Sequence, residues 1–151
     1  MTARRRILGI DYGSVRIGLA VSDPDRKIAF PLATYTRHSR NSDATYYLEL
    51  IEQEEIGALV VGLPVHLSGR EGQKAREARE FGKWLAEVSG LSVVFADERF
   101  TTVEAESALL TAGLTNKKRK ERRDRVAAQI ILQTYLDAGC PVEPKTGPLD
   151  E

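Results

Sequence analysis

An apolar run that stops on an acid constrains this chain more than any other feature. In "RILGIDYGSVRIGLAVSD", residues 6–23, Ile7, Leu8 and Ile10 predict a buried strand. Asp11 ends that strand with a carboxylate, a group that burial disfavours unless it is paired. A turn over Asp11-Tyr12-Gly13-Ser14 and a second apolar segment, residues 16–22, predict a hairpin. Gly9 and Gly18 interrupt the two strands. Glycine there weakens a strand and marks a close approach by a ligand or another backbone. Residues 27–35, "KIAFPLATY", predict a third strand, with Pro31 at a sheet edge or a bulge.

The pattern then changes. Residues 41–54 predict a helix with Tyr47, Leu48 and Ile51 on one face and Asn41 or Ser42 as its cap. Residues 57–64 read as a buried strand, and 66–72 as a glycine-rich polar loop. A second helix is expected over residues 73–88, with Ala78, Phe81, Trp84 and Leu85 at helical spacing. Residues 91–98 predict a fifth strand, again ending in acids. Helices are expected over residues 102–110, capped by Thr101 or Thr102, and over residues 123–136. Residues 141–151 form a proline-rich polar tail, expected to be loose. The order βββαβαβαα predicts an α/β fold: a mixed sheet with a hairpin start, parallel crossovers and helices on both faces. In such sheets functional groups gather at the carboxyl ends of the central strands.

The 151 residues, 42% of them apolar, suit one domain, taken as residues 1–140. No apolar run approaches the roughly 20 residues of a membrane span. Asp11 breaks the apolar stretch after the basic start, against a secretory signal. The single cysteine, Cys140, excludes an internal disulfide, and a cytoplasmic location is expected. Net charge is zero, but "NKKRKERRDR", residues 116–125, concentrates positive charge and "LELIEQEEIG", residues 48–57, negative charge. A polyanion would be steered by these local fields and not by the total.

Parallel strands one, four and five bring Asp11, Asp97 and Glu98 to one edge of the sheet. On the last helix Asp124, Ala127, Ala128, Ile131 and Tyr135 share a face, so Asp124 heads the face that packs on the sheet. Taken singly, each acid is also an ordinary turn, surface or helix-entry residue. Together they repel one another unless a cation sits among them. Hard oxygen donors suit Mg2+ or Mn2+. Two such ions about 4 Å apart promote phosphodiester hydrolysis.

"GIDYGSVRIGLAVSD", "VVGLPVHLSG", "DERFTTVEA" and "RDRVAAQIILQTYLD" resemble the successive motifs of the YqgF/RuvX family, a group of proposed pre-16S rRNA nucleases related to RuvC resolvases. The resemblance runs from Ile7 to Asp137. It implies an RNase H-like fold with sheet order 3-2-1-4-5 and strand two antiparallel. It also implies a two-metal site built from Asp11, Glu98 and Asp124. Related resolvases carry an acid at the end of the fourth strand; the matching stretch here, "VVGLP", has none. Alternation along strand five lets only one of Asp97 and Glu98 reach the metal, and Glu98 is the choice.

Expected phosphate contacts are Arg16, Arg70, Arg99, Thr101, Thr102, Lys117, Lys118, Lys120, Arg122 and Arg123. Gly13, Gly62 and Gly69 are candidate points of close backbone approach. Tyr12 is a base-stacking or a packing residue, and His66 reads as a polar loop residue, with assistance to a leaving group as the alternative. The leading expectation is a metal-dependent endonuclease acting on pre-rRNA, with ribosomal proteins as further partners. Alternatives are a branched-DNA resolvase, for which a homodimer is expected, a noncatalytic RNA-binding assembly factor, and a nucleotide-binding lobe like those of actin-like ATPases. The last lacks room for a second lobe.

Overall fold

The computed structural model describes residues 5–64, 71–98 and 115–142. Several expectations lie outside them: His66, Gly69 and Arg70 in the glycine-rich loop, Arg99, Thr101, Thr102, the helix over residues 102–110, and the tail from residue 143.

Among the described residues the chain runs β1 (Arg6–Asp11), β2 (Arg16–Ser22), β3 (Ala29–Thr36), α1 (Arg40–Gln53), β4 (Ile56–Leu63), α2 (Gln73–Ser89), β5 (Val93–Asp97) and α3 (Asn116–Asp137). The five strands form one sheet in the order β3-β2-β1-β4-β5. β2 is antiparallel to β1 and β3, whereas β1, β4 and β5 are mutually parallel. This is the topology that the sequence resemblance implied. Pro31 satisfies both of its expected roles. β3 is an edge strand, and a register shift between Leu19 and Ala20 leaves Leu32 as an extra residue beside Pro31.

Alternation sorts the sheet into two faces. Leu8, Ile10, Leu19, Leu59 and Val61 pack with α1 and α2 residues such as Tyr47, Ala78 and Leu85. Ile7, Ala20 and Val60 pack on the other side with Ala128, Ile131 and Leu132 of α3. Helices therefore cover both faces.

Element ends shift by one or two residues along the chain, and two of the differences change which residues are placed where. α1 is capped earlier, by Ser39, whose hydroxyl accepts from the Ser42 amide at 3.2 Å while Ser42 answers in a capping box. Its buried residues are Asp43, Tyr47 and Leu50, and Leu48 is exposed. The i, i+4, i+7 stripe through Asp43 carries Leu48 outward. Asp43 tolerates burial because it accepts from the Tyr35 hydroxyl at 2.6 Å and the His38 amide at 2.9 Å. Trp84 is half-buried and packs against the core, not inside it.

The second difference matters more. α3 begins at Asn116, about two turns before residue 123. Thr115 caps it by accepting from the Lys118 amide at 3.3 Å. Lysine, arginine and glutamate favour helix, yet their solvated run carries no apolar stripe to reveal one. The basic run is thus the start of α3, and Asp124 lies in its third turn, not its first.

α3 lies close on the sheet because two strand positions have no side chain. A β-carbon at Gly9 would sit 2.7 Å from the Leu132 β-carbon, and one at Gly18 would run into the Asp124 carbonyl. The expected close approach at these glycines is therefore that of a helix. α3 also grips the edge strand. Gln129 Nε2 donates to the Ala29 carbonyl at 3.1 Å, Ala29 N–H to Gln133 Oε1 at 2.9 Å, and Thr34 Oγ1 to the Glu121 carbonyl at 2.5 Å. No helix among the described residues is long and apolar enough to cross a membrane.

Gly18→Ala has to lift α3 from β2. We expect a loss of about 2 kcal/mol or more, seen as a lower urea midpoint with the slope unchanged.

Candidate active site

Asp11 closes β1 on the α3 side of the sheet, the side on which Ile7 packs. Its neighbours in the sheet are both glycines. Gly18 is its partner on β2. Gly62 on β4 lies one step beyond the last ladder pair, Ile10 with Val61. Each glycine gives up its side-chain space to another acid. The Asp124 backbone lies over Gly18, and Glu98 Oε2 lies 2.5 Å from where a Gly62 β-carbon would stand. Gly62, expected to admit a phosphate backbone, instead makes room for the Glu98 carboxylate.

Glu98 sits one residue past β5, and its amide donates to the Leu63 carbonyl at 3.0 Å, which extends the ladder. Alternation then sends Asp97 to the face of Phe95 and Val93, beside α2, and Glu98 to the face of Asp11.

The acids respond to one another. Burial, then the Asp124 charge, push the Asp11 carboxyl up to about 6, while Lys74 and Arg123 pull against the rise. Burial, then the Asp11 charge, push Glu98 up to about 7, with Lys74 again opposing. Asp11 is therefore the middle member of a row, with Glu98 on one side and Asp124 on the other. Asp124 is tied down by Arg16, whose Nε donates to Oδ2 at 2.7 Å across 108 residues of sequence.

The donor set fits a hard divalent cation: carboxylate oxygens, partly desolvated, whose ionisation a cation would favour. Yet among the described residues no three His, Cys, Asp or Glu side chains converge on one point. The expected three-acid cluster is a row, not a closed cage, because Asp124 is turned to Arg16.

The sequence profile of RuvX, described as a Holliday junction resolvase, matches residues 5–138. The chain belongs to the RuvX family. Two relatives of this RuvX-family chain, each bearing the name "Putative pre-16S rRNA nuclease", come from Rhodopirellula baltica and Koribacter versatilis. The first is 45% identical, over 90% of this chain and 79% of that protein. The second is 46% identical, over 87% of this chain and 86% of that protein. A solved structure of Thermus thermophilus RuvC in complex with a Holliday junction substrate has the same fold. Its TM-score is 0.55 at 18% identity, covering 89% of this chain and 95% of that one.

The basic residues divide into two groups. Lys117, Lys118, Lys120, Arg122 and Arg123 are exposed along the first turns of α3, just before Asp124. Arg16, grouped with them from sequence, engages Asp124 instead. Lys74 was missed. It is exposed in the first turn of α2, and its charge reaches both Asp11 and Glu98. The only sequence signal was its place at the start of a helix following the loop after β4. Tyr12 packs on Phe81, ring centres 5.4 Å apart.

The raised carboxyls give the folding of this chain a definite pH slope. Asp11 and Glu98 hold protons more tightly in the fold than in the unfolded chain. The stability this supplies is complete below about pH 4 and is lost as pH rises through about 6 and about 7. Thermal melts in chelator should therefore show a falling Tm from pH 5 to pH 8. Glu98→Gln should flatten the fall and raise Tm at pH 8 by about 2 °C or more. A flat wild-type profile would contradict the electrostatics.

Proposed function

We propose that this chain is a divalent-metal-dependent endonuclease that hydrolyses phosphodiester bonds in RNA, in processing of the 5′ end of pre-16S rRNA in the cytoplasm. The observation that carries this reading is the row Glu98–Asp11–Asp124 at the carboxyl edge of the sheet, beside the basic start of α3. The names of the curated relatives supply the RNA.

When bound, Mg2+ or Mn2+ ions supply an activated water and charge stabilisation at the leaving oxygen. Asp11 and Glu98 would hold the metal, with Asp124 beside them in the place that Arg16 gives it. A strand end is a rigid mount, so Asp11 keeps its aim while substrate comes and goes. Lys117, Lys118, Lys120, Arg122 and Arg123 bind the phosphate backbone and orient it toward the acids, and Arg16 contacts phosphate through its other N–H groups while its Nε holds Asp124. Arg70, Arg99, Thr101 and Thr102 extend that contact. Protons on Asp11 and Glu98 compete with the metal, so metal affinity rises with pH through the range about 6 to about 7.

Cleavage of an RNA spanning the 5′ end of the small-subunit transcript tests this. With Mn2+, Asp11→Asn and Glu98→Gln should each lower turnover by about a thousandfold or more. Binding should stay within about threefold of the unmutated chain. An identically purified Asp11→Asn protein that cleaves normally would exclude the mechanism. Replacing Lys117, Lys118 and Lys120 together by alanine should reduce the slope of log binding constant against log salt by about 2 on single-stranded RNA.

The family description favours one second reading, branched-DNA resolution. A four-way DNA junction cut faster than the RNA precursor under the same conditions would select it.

A further inference from the structure

Asp11 and Arg16 are joined by four residues, Tyr12, Gly13, Ser14 and Val15, and one side chain outside that link touches nearly all of it. Arg37 follows β3 and is half-buried. Its Nη1 donates to the Tyr12 hydroxyl at 2.9 Å, the Gly13 carbonyl at 3.3 Å and the Ser14 carbonyl at 3.2 Å. Its own amide donates to the Val15 carbonyl at 2.9 Å. The guanidinium carbon lies 5.2 Å from the centre of the Tyr12 ring and 5.8 Å from that of Phe81 on α2.

Desolvation does not demand these bonds. Ser14 and Val15 are exposed, Val15 at 60%, and water would serve their carbonyls. What the bonds fix is the path of the link. That path matters at both ends. Asp11 is the middle acid of the row, and Arg16 is the partner that holds Asp124. Gly13 keeps the link tight, since a β-carbon there would run into the Arg16 carbonyl. The delocalised, weakly hydrated charge of a guanidinium stays against the Tyr12 and Phe81 rings while Nη1 reaches the link, a position that the strongly hydrated ammonium of lysine fits less well.

We propose that Arg37 is a positioning residue for the acid row: by fixing residues 12–15 it sets both the place of Asp11 and the hold of Arg16 on Asp124. The inference rests on the metal reading above for its effect on catalysis. Its effect on the Arg16–Asp124 pair does not depend on metal.

Two measurements on the full chain test it. In metal-free protein, a double-mutant cycle of Arg16→Ala and Asp124→Asn reads the coupling of that pair as a shift in Tm. The coupling should be present in the wild-type background and lost in Arg37→Ala. By calorimetric titration with Mn2+, Arg37→Ala should bind about tenfold more weakly. Its kcat should fall by a similar factor, its KM for RNA should stay within about twofold, and Arg37→Lys should not restore either. Tyr12→Phe deletes a single acceptor and should show the same pattern more weakly. It carries the comparison if Arg37→Ala does not fold.

A folded Arg37→Ala protein with intact coupling and wild-type Mn2+ affinity overturns the proposal. So does a defect confined to KM that Arg37→Lys repairs, which would make Arg37 a phosphate contact. A wild-type chain that takes up no Mn2+ overturns the metal reading and leaves the coupling cycle to decide the role of Arg37.

Discussion

Two missing β-carbons beside Asp11 set the rest of the arrangement. Gly18 on one neighbouring strand lets the α3 backbone settle at Asp124, and Gly62 on the other lets the Glu98 carboxylate lie across β4. A β-carbon at Gly18 meets α3 backbone, which cannot give way locally, whereas one at Gly62 meets the tips of Glu98 and Ile131 and pushes them from their places. Close packing leaves little slack to absorb such a clash. The sheet therefore does more than support the acids. It supplies the empty volume in which two of them stand next to the third.

Bringing carboxylates together raises their proton affinity, and the molecule limits that cost with cations of different reach. Arg16 bonds Asp124 directly, whereas Lys74 and Arg123 act on Asp11 through space, Lys74 on Glu98 as well. These cations come from β2, α2 and α3, so elements on both faces of the sheet contribute to the local field. The result is a region where negative charge is held in place without being fully neutralised, a state that favours hard cations over neutral ligands.

Much of this was legible in the sequence, for identifiable reasons. Strand and helix periods are local, so seven of the expected elements fall close to their observed limits, and Pro31 announced an edge and a bulge. The interior glycines announced close approach correctly but not what approaches. At Gly18 it is a helix and at Gly62 an acid, because only the folded sheet says which residue faces the gap. The start of α3 was hidden by a charge run without an apolar face. The Arg16–Asp124 pair spans 108 residues and the Arg37–Tyr12 bond 25. No periodic signal encodes such pairings, since each depends on where a turn or a helix end comes to rest. Lys74 escaped for the same reason.

The order of the acids along the chain has one more consequence. Asp11 belongs to the first strand, whereas Asp124 arrives with the helix that covers β1 and β2 from the far side. During synthesis the hairpin emerges early with its aspartate exposed to water, and the row stays incomplete until that helix has cleared the ribosomal exit and docked. A chain whose last described helix has not yet docked thus lacks one of the three acids of the row.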